Sequence, residues 1–183
     1  HTIGRRQRQM CIRDRADSIM SFYPQGLPAN RWRLFSVPGI IDSNEIKPND
    51  LEDGHVFYDW DPAEETWFMP DSIVIGKAYW FKHKYDEPVI FSNKDTTGYS
   101  VPLEPYELKL YQGANMVGSP FPFPVRAELS EGVSDPYKYG SDLKEGWADT
   151  NIFEPWAGYA VQSTSDSGKI TFYPIQDLSL IHI

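Results

Sequence analysis

The segment Thr66–Phe81, TWFMPDSIVIGKAYWF, aligns with Gly146–Val161, GWADTNIFEPWAGYAV, at a constant offset of 80 residues. The agreeing positions are aromatic or apolar: Trp67 with Trp147, Ile73 with Phe153, Tyr79 with Tyr159, and Phe81 with Val161. Self-similarity at a fixed spacing is the signature of a repeated structural unit. The alignment therefore predicts that the fold is an internal duplication.

The similarity extends to both sides of this segment. Leu34–Pro38 matches Met116–Pro120 with a shift of 82, and Val89–Phe91 matches Ile170–Phe172 with a shift of 81. Phe57 falls on Tyr137 at the offset of 80. We expect two copies, 31–95 and 107–177, of about five short strands each; two unrelated β-meanders are the alternative. One such copy would leave sheet edges exposed, and a second copy can cover them.

Short runs of aromatic and β-branched residues alternate with proline and glycine along the chain. This pattern, without a sustained helical period, predicts an all-β antiparallel sandwich or barrel-like domain. The runs are RWRLFSV (31–37), HVFYDW (55–60), KAYWFK (77–82), PVIF (88–91), ELKL (107–110), GYAV (158–161) and KITFY (169–173). Residues 128–135 are expected to form a loop or a turn of helix.

The two ends of the chain resemble translated DNA adapter. Arg5–Asp14 reads RRQRQMCIRD and Leu178–Ile183 reads LSLIHI. Back-translated, they match the transposase mosaic end of sequencing libraries in opposite orientations. Residues 1–15 and 178–183 are therefore left out of fold reasoning, and the native part is taken as 16–177 of a metagenomic multidomain fragment. Residues 16–30, which contain Pro24, Gly26 and Pro28, are expected to be a linker or the tail of a preceding domain.

Composition excludes several classes of function for residues 16–177. Twelve Lys and Arg against 25 Asp and Glu give a formal charge of −13. Such an acidic segment is a poor partner for nucleic acid or for anionic lipid. The chain's one cysteine, Cys11, lies in the adapter-like end, so residues 16–177 contain none and neither disulfides nor a thiolate zinc site are expected. No apolar run approaches the ~20 residues of a membrane span.

No catalytic, cofactor-binding or metal-binding residues are predicted. His55 and His83 have no metal-ligand spacing and are expected to be structural or exposed. The acidic turn with Asp59, Asp61, Glu64 and Glu65 is interpreted as a solvated hairpin turn rather than a calcium site, since it lacks the EF-hand spacing. The acidic residues between Asp42 and Asp53 are interpreted as a polar loop.

Aromatic residues next to polar turns are the candidates for ligand binding. Exposed Trp and Tyr rings can stack on sugar rings or anchor protein interfaces. The candidates are Trp60, Trp67, Tyr139 and Trp147. The alternative is that all four belong to the core of a small β-domain.

The two-part pattern is similar to a module of large secreted Bacteroidetes-type proteins that use type IX secretion. The first half carries WRLFSVP (32–38), YDW (58–60) and GKAYW (76–80), and the second carries GANMVGSPFPFPV (113–125) and FEPWAGYAV (153–161). The chain departs from the family pattern at Ala114, where Trp is usual, at Ser119 for Asn, and at Ile75 for Pro. The resemblance implies a β-rich accessory module and an extracellular or cell-surface bacterial location.

These observations lead to one expected function and two alternatives. We expect a non-catalytic structural or attachment module whose partners are neighbouring domains of the same polypeptide, and no nucleic acid, membrane insertion, cofactor or metal. The first alternative is a carbohydrate-binding module attached to a polysaccharide-active enzyme. The second is a fragment of an enzyme whose catalytic residues lie outside residues 16–177.

Overall fold

A computed structural model describes residues 18–39, 54–92, 104–140 and 146–175 of the 183-residue chain. The expectations for the adapter-like ends and for the acidic stretch between Asp42 and Asp53 lie outside these residues. The described part is all-β, as predicted: beside the strands it contains one turn of 3-10 helix, Ile19–Ser21. Alternation of core-facing aromatic residues with outward residues is what favours strands here.

Eleven strands form three antiparallel sheets in the described part of the chain. They are β1 (Arg33–Ser36), β2 (His55–Asp61), β3 (Thr66–Phe68), β4 (Ala78–His83), β5 (Tyr106–Lys109), β6 (Gly113–Gly118), β7 (Ala127–Leu129), β8 (Tyr137–Tyr139), β9 (Trp147–Asp149), β10 (Gly158–Ser163) and β11 (Lys169–Phe172). The sheet orders are β1-β4-β2-β3, β6-β10-β8-β9 and β5-β11-β7. Residues 128–135 contain the end of β7 and a turn, and no helix.

The two four-stranded sheets have the same strand order when β1, β4, β2 and β3 are matched with β6, β10, β8 and β9. The register corrects one sequence alignment: Tyr58 pairs with Trp80, and Tyr137 pairs with Ala160, 80 residues further on. Tyr137 therefore occupies the position of Tyr58, not of Phe57. The shift arises because the hairpin between the paired residues Trp60 and Trp67 is one residue shorter than the hairpin between Tyr139 and Trp147.

Two reciprocal contacts join these sheets. The Ser36 N–H donates to the Trp156 carbonyl at 3.2 Å, and the Gly118 N–H donates to the Gly76 carbonyl at 2.9 Å. Phe35 bridges Ala157 and Lys77 bridges Val117 in the same arrangement. The first strand of each sheet is therefore held by the turn that precedes the second strand of the other sheet.

The segment before β1 packs into the core, which corrects the expectation of a linker or preceding-domain tail over 16–30. Within its described part, Ile19, Tyr23 and Leu27 are buried in the core cluster. Leu27 also bridges Val89, and the Ile19 N–H donates to the Phe91 carbonyl at 2.9 Å. Proline and glycine here shape turns within the domain instead of marking its boundary. Residues 88–91, expected as a strand, form only one isolated bridge, from Val89 to Leu27.

One core cluster lies among the three sheets. Its largest side chains are aromatic and come from both halves of the chain: Phe35, Phe57, Tyr79, Phe81, Phe121, Phe153, Trp156, Tyr159 and Phe172. Burial of each such ring stabilises the fold by about 2–3 kcal/mol relative to exposure. The same alternation that buries these rings turns their strand neighbours outward.

Candidate functional site

An open cavity of about 670 Å³ is lined by Trp32, Tyr58, Trp67, Trp80 and Tyr139. We call it the aromatic cleft. Its size is in the range of small-molecule sites. Trp32 is 37% exposed and Trp67 is 43% exposed, so rings that would bury much apolar area face solvent. An exposed apolar surface concentrated in one concavity is typical of a recognition site.

Strand alternation places the central rings of the cleft. Trp80 lies between the buried Tyr79 and Phe81 on β4, so its side chain points to the opposite face. Tyr58 lies in the same way between two buried residues of β2 and pairs with Trp80 across the strands. The two rings therefore share one face of the first sheet.

The aromatic rings of the cleft are steeply inclined to one another and do not form a flat surface. The Trp80 centroid lies 4.7 Å from that of Tyr139 and 6.5 Å from that of Trp32, at interplanar angles of 74° and 88°. Trp32 and Tyr58 lie 5.8 Å apart at 37°. The edge-to-face contacts of Trp80 with Tyr139 and Trp32 hold these three rings in place without a ligand. The cleft is therefore preorganised, which lowers the entropy cost of binding.

Both halves of the chain contribute to the cleft. Tyr139 belongs to β8 of the second sheet, and Trp147 of β9 packs against it with centroids 5.4 Å apart. Trp147 also lies 6.3 Å from Trp80 and is 45% exposed, which puts it at the rim. Of the four predicted candidates, Trp67 and Tyr139 thus line the cleft and Trp147 borders it.

Trp60 is the candidate that lies elsewhere. Its indole N–H donates to the Ala114 carbonyl at 2.8 Å, and its ring packs on Trp67 with centroids 4.7 Å apart. It lines a separate small groove beside Lys77 and Leu110. A ring whose polar atom is already bonded and which supports Trp67 from behind has a structural role.

Sequence reasoning missed Trp32, Tyr58 and Trp80 as lining residues. A signal was present: Trp80 alternates with Tyr79 and Phe81, and only one of these faces can point into a core. The proximity of Tyr139 to Trp80 had no local signal, because it depends on how the two sheets meet.

A second groove of about 410 Å³ shares Trp32 and Tyr58 with the aromatic cleft. We call it the lysine groove. Its other lining residues are Gly54, His55, Val56, Lys82, His83 and Lys84. The ammonium nitrogen of Lys82 lies 5.8 Å from the centre of the Trp32 ring, a cation–π contact at the junction of the two concavities.

The two histidines are held by neighbouring groups. The Tyr85 N–H donates to Nδ1 of the buried His83 at 3.2 Å, so Nε2 carries the proton that is donated to the Leu27 carbonyl at 2.7 Å. His83 thus ties β4 to the segment before β1. His55 Nδ1 lies 3.2 Å from the Tyr85 hydroxyl. Both residues were expected to be structural or exposed, and the contacts of His83 are structural.

The carboxylates of the acidic turn point to different partners. Asp59 is buried and forms an ion pair with Lys77 at 2.6 Å, while its other oxygen accepts the Trp60 N–H. Asp61 accepts the N–H groups of Ala63 and Glu64, which is the bonding of an Asx turn. Within the described ranges, no group of three or more His, Cys, Asp or Glu residues could hold a metal ion.

Two buried tyrosines, Tyr79 and Tyr159, each form a hydrogen bond with the turn that precedes their own strand. Burial raises the pKa of both Tyr79 and Tyr159 above the ordinary value of 10.0, because an ionised hydroxyl would lose its hydration. Each hydroxyl accepts a backbone N–H five residues earlier, from Val74 at 2.7 Å and from Glu154 at 2.6 Å. Neither hydroxyl lines the aromatic cleft, so both have a structural role.

Comparison with family models, with curated proteins and with solved structures finds no match to this chain. Within the described residues, no helix has the length and apolar character needed to cross a membrane.

Proposed function

We propose that this protein is a non-catalytic attachment module that binds carbohydrate in its aromatic cleft. The observation that carries the proposal is the set of five aromatic side chains lining one open cavity of about 670 Å³. Their polar groups are limited to indole N–H and phenol hydroxyl groups. A sugar offers an apolar ring face and a polar rim, and this lining matches both.

The cleft supports binding rather than hydrolysis. Glycoside hydrolysis in most families needs two carboxylates on opposite sides of the scissile bond. None of the five lining residues is acidic. The nearest acidic residue of β2, Asp59, is buried on the opposite face and paired with Lys77. An accessory module would deliver a linked enzyme, or the cell surface, to polysaccharide.

A purely structural module is the second candidate. Phe68, Met69 and Val74 are exposed outside the cleft, at 39%, 60% and 48% of their surface. They lie at and after the edge strand β3. Exposed apolar groups at a sheet edge are suited to packing against a neighbouring domain of the same polypeptide. The two roles use different surfaces and are compatible.

The internal duplication is also part of the proposal. It is supported by the matched strand order of the two sheets, by their reciprocal contacts, and by the equivalent hydroxyl bonds of Tyr79 and Tyr159. Location at a bacterial cell surface rests on the family resemblance alone. Surface labelling of cells that express the parent protein would test the location.

Tryptophan fluorescence of the full chain, titrated with a panel of soluble polysaccharides, tests carbohydrate binding. We expect a saturable change with at least one polysaccharide, because Trp32, Trp67 and Trp80 line the cleft. Tyr139→Ala should weaken that binding at least about tenfold, since removing one stacked ring costs on the order of 1.4 kcal/mol or more.

Tyr111→Ala is the matched control. Tyr111 is exposed, at 44%, and lies next to β5 outside the cleft. Its loss should leave the affinity unchanged. A flat response of the full chain to every polysaccharide, with a cooperative thermal transition showing that the chain is folded, would leave the structural module as the function.

A further inference from the structure

We propose that the glycan is a polyuronate: its sugar rings occupy the aromatic cleft and its carboxylates bind Lys82 and Lys84 in the lysine groove. This inference rests on the proposed carbohydrate binding and adds the substrate class. The observation behind it is that the two concavities are adjacent, because Trp32 and Tyr58 line both.

The charge of the lysine groove opposes that of the whole protein. The full chain has a formal charge of −9, whereas the groove has two lysines and no acidic residue among its lining side chains. Among the described residues, the lysines with an ion pair are Lys77, Lys138 and Lys169. Lys82 and Lys84 have no carboxylate partner within that set. Two ammonium groups that form no ion pair with another described residue favour an anionic ligand.

Lys82 places a positive charge beside the aromatic rings on which a sugar would stack. Its side chain follows Trp80 by two residues on β4, so both point to the same face. Its ammonium nitrogen stays 5.8 Å from the Trp32 ring centre. One sugar residue can therefore touch an aromatic ring and reach the ammonium group together.

A uronate fits this spacing because its carboxylate is attached directly to the sugar ring. Each residue of a polyuronate then presents an apolar face and, at its edge, one negative charge. Lys82 lies on β4, and Lys84 directly follows His83, the last residue of that strand. A chain that follows the groove out of the aromatic cleft would meet them in succession. Lysine suits this role as a point charge that needs no bidentate geometry.

The test compares three probes on the full chain by calorimetry: an oligouronide, the same oligosaccharide with its carboxyl groups reduced to alcohols, and a sulfated glycan of equal length. We expect the oligouronide to bind tightest. The reduced form should bind about tenfold more weakly, because two exposed charge contacts contribute on the order of 1.4 kcal/mol together. Salt should weaken oligouronide binding and leave the reduced form unaffected.

Variants separate the two proposals. Lys82→Met should weaken the oligouronide about threefold to fivefold and leave the reduced form unchanged. Lys109→Met is the matched control, because Lys109 is also a lysine over an aromatic ring, 5.7 Å from Tyr111, but lies outside both concavities. It should change neither affinity.

Each outcome has a defined meaning. Equal binding of the oligouronide and its reduced form would overturn the polyuronate inference and leave carbohydrate binding intact. Equal or tighter binding of the sulfated glycan would overturn the assignment to uronate. Failure of all three probes, where a neutral polysaccharide binds, overturns the inference alone. Failure of every glycan overturns both proposals.

Discussion

Trp156 adopts a backbone conformation that is unusual for a large side chain. Its φ is 66°, in the left-handed region, and its indole is buried. The equivalent residue of the first half is Gly76, with φ 83°. For an L-residue this conformation costs about 1–2 kcal/mol. In the second half, the backbone strain at Trp156 is therefore offset by the burial of its indole.

At position 156 the glycine variant should be more stable than the alanine variant, which reverses the usual order of stability. Trp156→Ala and Trp156→Gly both lose burial of the indole, at a cost of about 3–5 kcal/mol. Glycine should nevertheless be the more stable of the two by about 1 kcal/mol, since it adopts positive φ without strain. Urea denaturation measures both free energies of unfolding.

Phe153 supplies the control for Trp156. It is buried in the same turn and pairs with Val125 in a β-bridge. Phe153→Gly should be less stable than Phe153→Ala, the ordinary order. If Trp156→Ala is at least as stable as Trp156→Gly, backbone strain at position 156 does not contribute to the free energy of unfolding.

The buried tyrosines predict a loss of stability at alkaline pH. Burial raises the pKa of Tyr159 and Tyr79 in the folded protein, whereas an unfolded tyrosine ionises near 10. Below about pH 10 both states keep the proton and the stability is full. Above it the unfolded state loses protons first, so each tyrosine lowers the free energy of unfolding by up to about 1.4 kcal/mol per pH unit.

Tyr159→Phe isolates this effect. The variant should lose about 1–3 kcal/mol at neutral pH, because the Glu154 N–H loses its acceptor. Its stability should then decline less steeply than that of the parent between about pH 9 and pH 11. Urea midpoints across this range measure the slopes. Parallel slopes would mean that ionisation of Tyr159 does not contribute.

At the scale of strands, two glycines set the distance between the four-stranded sheets. A Cβ on Gly118 would lie 2.0 Å from Ser36 Cβ, and one on Gly158 would lie 2.3 Å from Leu34 Cγ. Both neighbours belong to β1, so β1 packs directly against β6 and β10. The bond from Ser36 Oγ to the Ala157 carbonyl, at 2.8 Å, depends on this close approach.

Gly118→Ala should destabilise the protein by about 3 kcal/mol or more, since the new methyl group overlaps β1 and forces the strands apart. Ser36→Gly in the same chain should recover part of the loss, because it removes the atoms that clash. Thermal unfolding of both single variants and the double variant gives the coupling. Additive losses would show that the overlap is relieved elsewhere.

The sequence predicted the all-β class and several strands better than it predicted how the strands assemble. β1, β2, β4 and β10 were expected because runs of aromatic and β-branched residues lie between proline and glycine there. Residues 16–30 were expected to be a linker because Pro24, Gly26 and Pro28 are boundary signals, yet Ile19 and Leu27 enter the core. Proline and glycine report a local turn and not what packs beneath it. The cleft was half predicted, since Trp80 meets Tyr139 only through tertiary structure.

At the scale of the molecule, each half depends on the other for hydrogen bonds and for part of its core. The Ser36 N–H is satisfied by a carbonyl of the second half, and the Gly118 N–H by a carbonyl of the first. Phe35 and Tyr159, from different halves, lie in one core cluster. A separated half would leave edge strand groups unpaired and aromatic surface exposed, and a small sheet alone is marginal in water.

We therefore expect that neither residues 16–100 nor residues 101–177, expressed separately, show a cooperative thermal transition, whereas an equimolar mixture does. The mixture should also recover the tryptophan emission of the full chain, because Trp156 is buried in a core cluster to which both halves contribute. The full chain carrying the same tags is the control. A half that unfolds cooperatively as a monomer would mean that the reciprocal contacts are secondary, and that each sheet has a sufficient core of its own. The aromatic cleft would be incomplete in either case, since Tyr139 and Trp80 come from different halves.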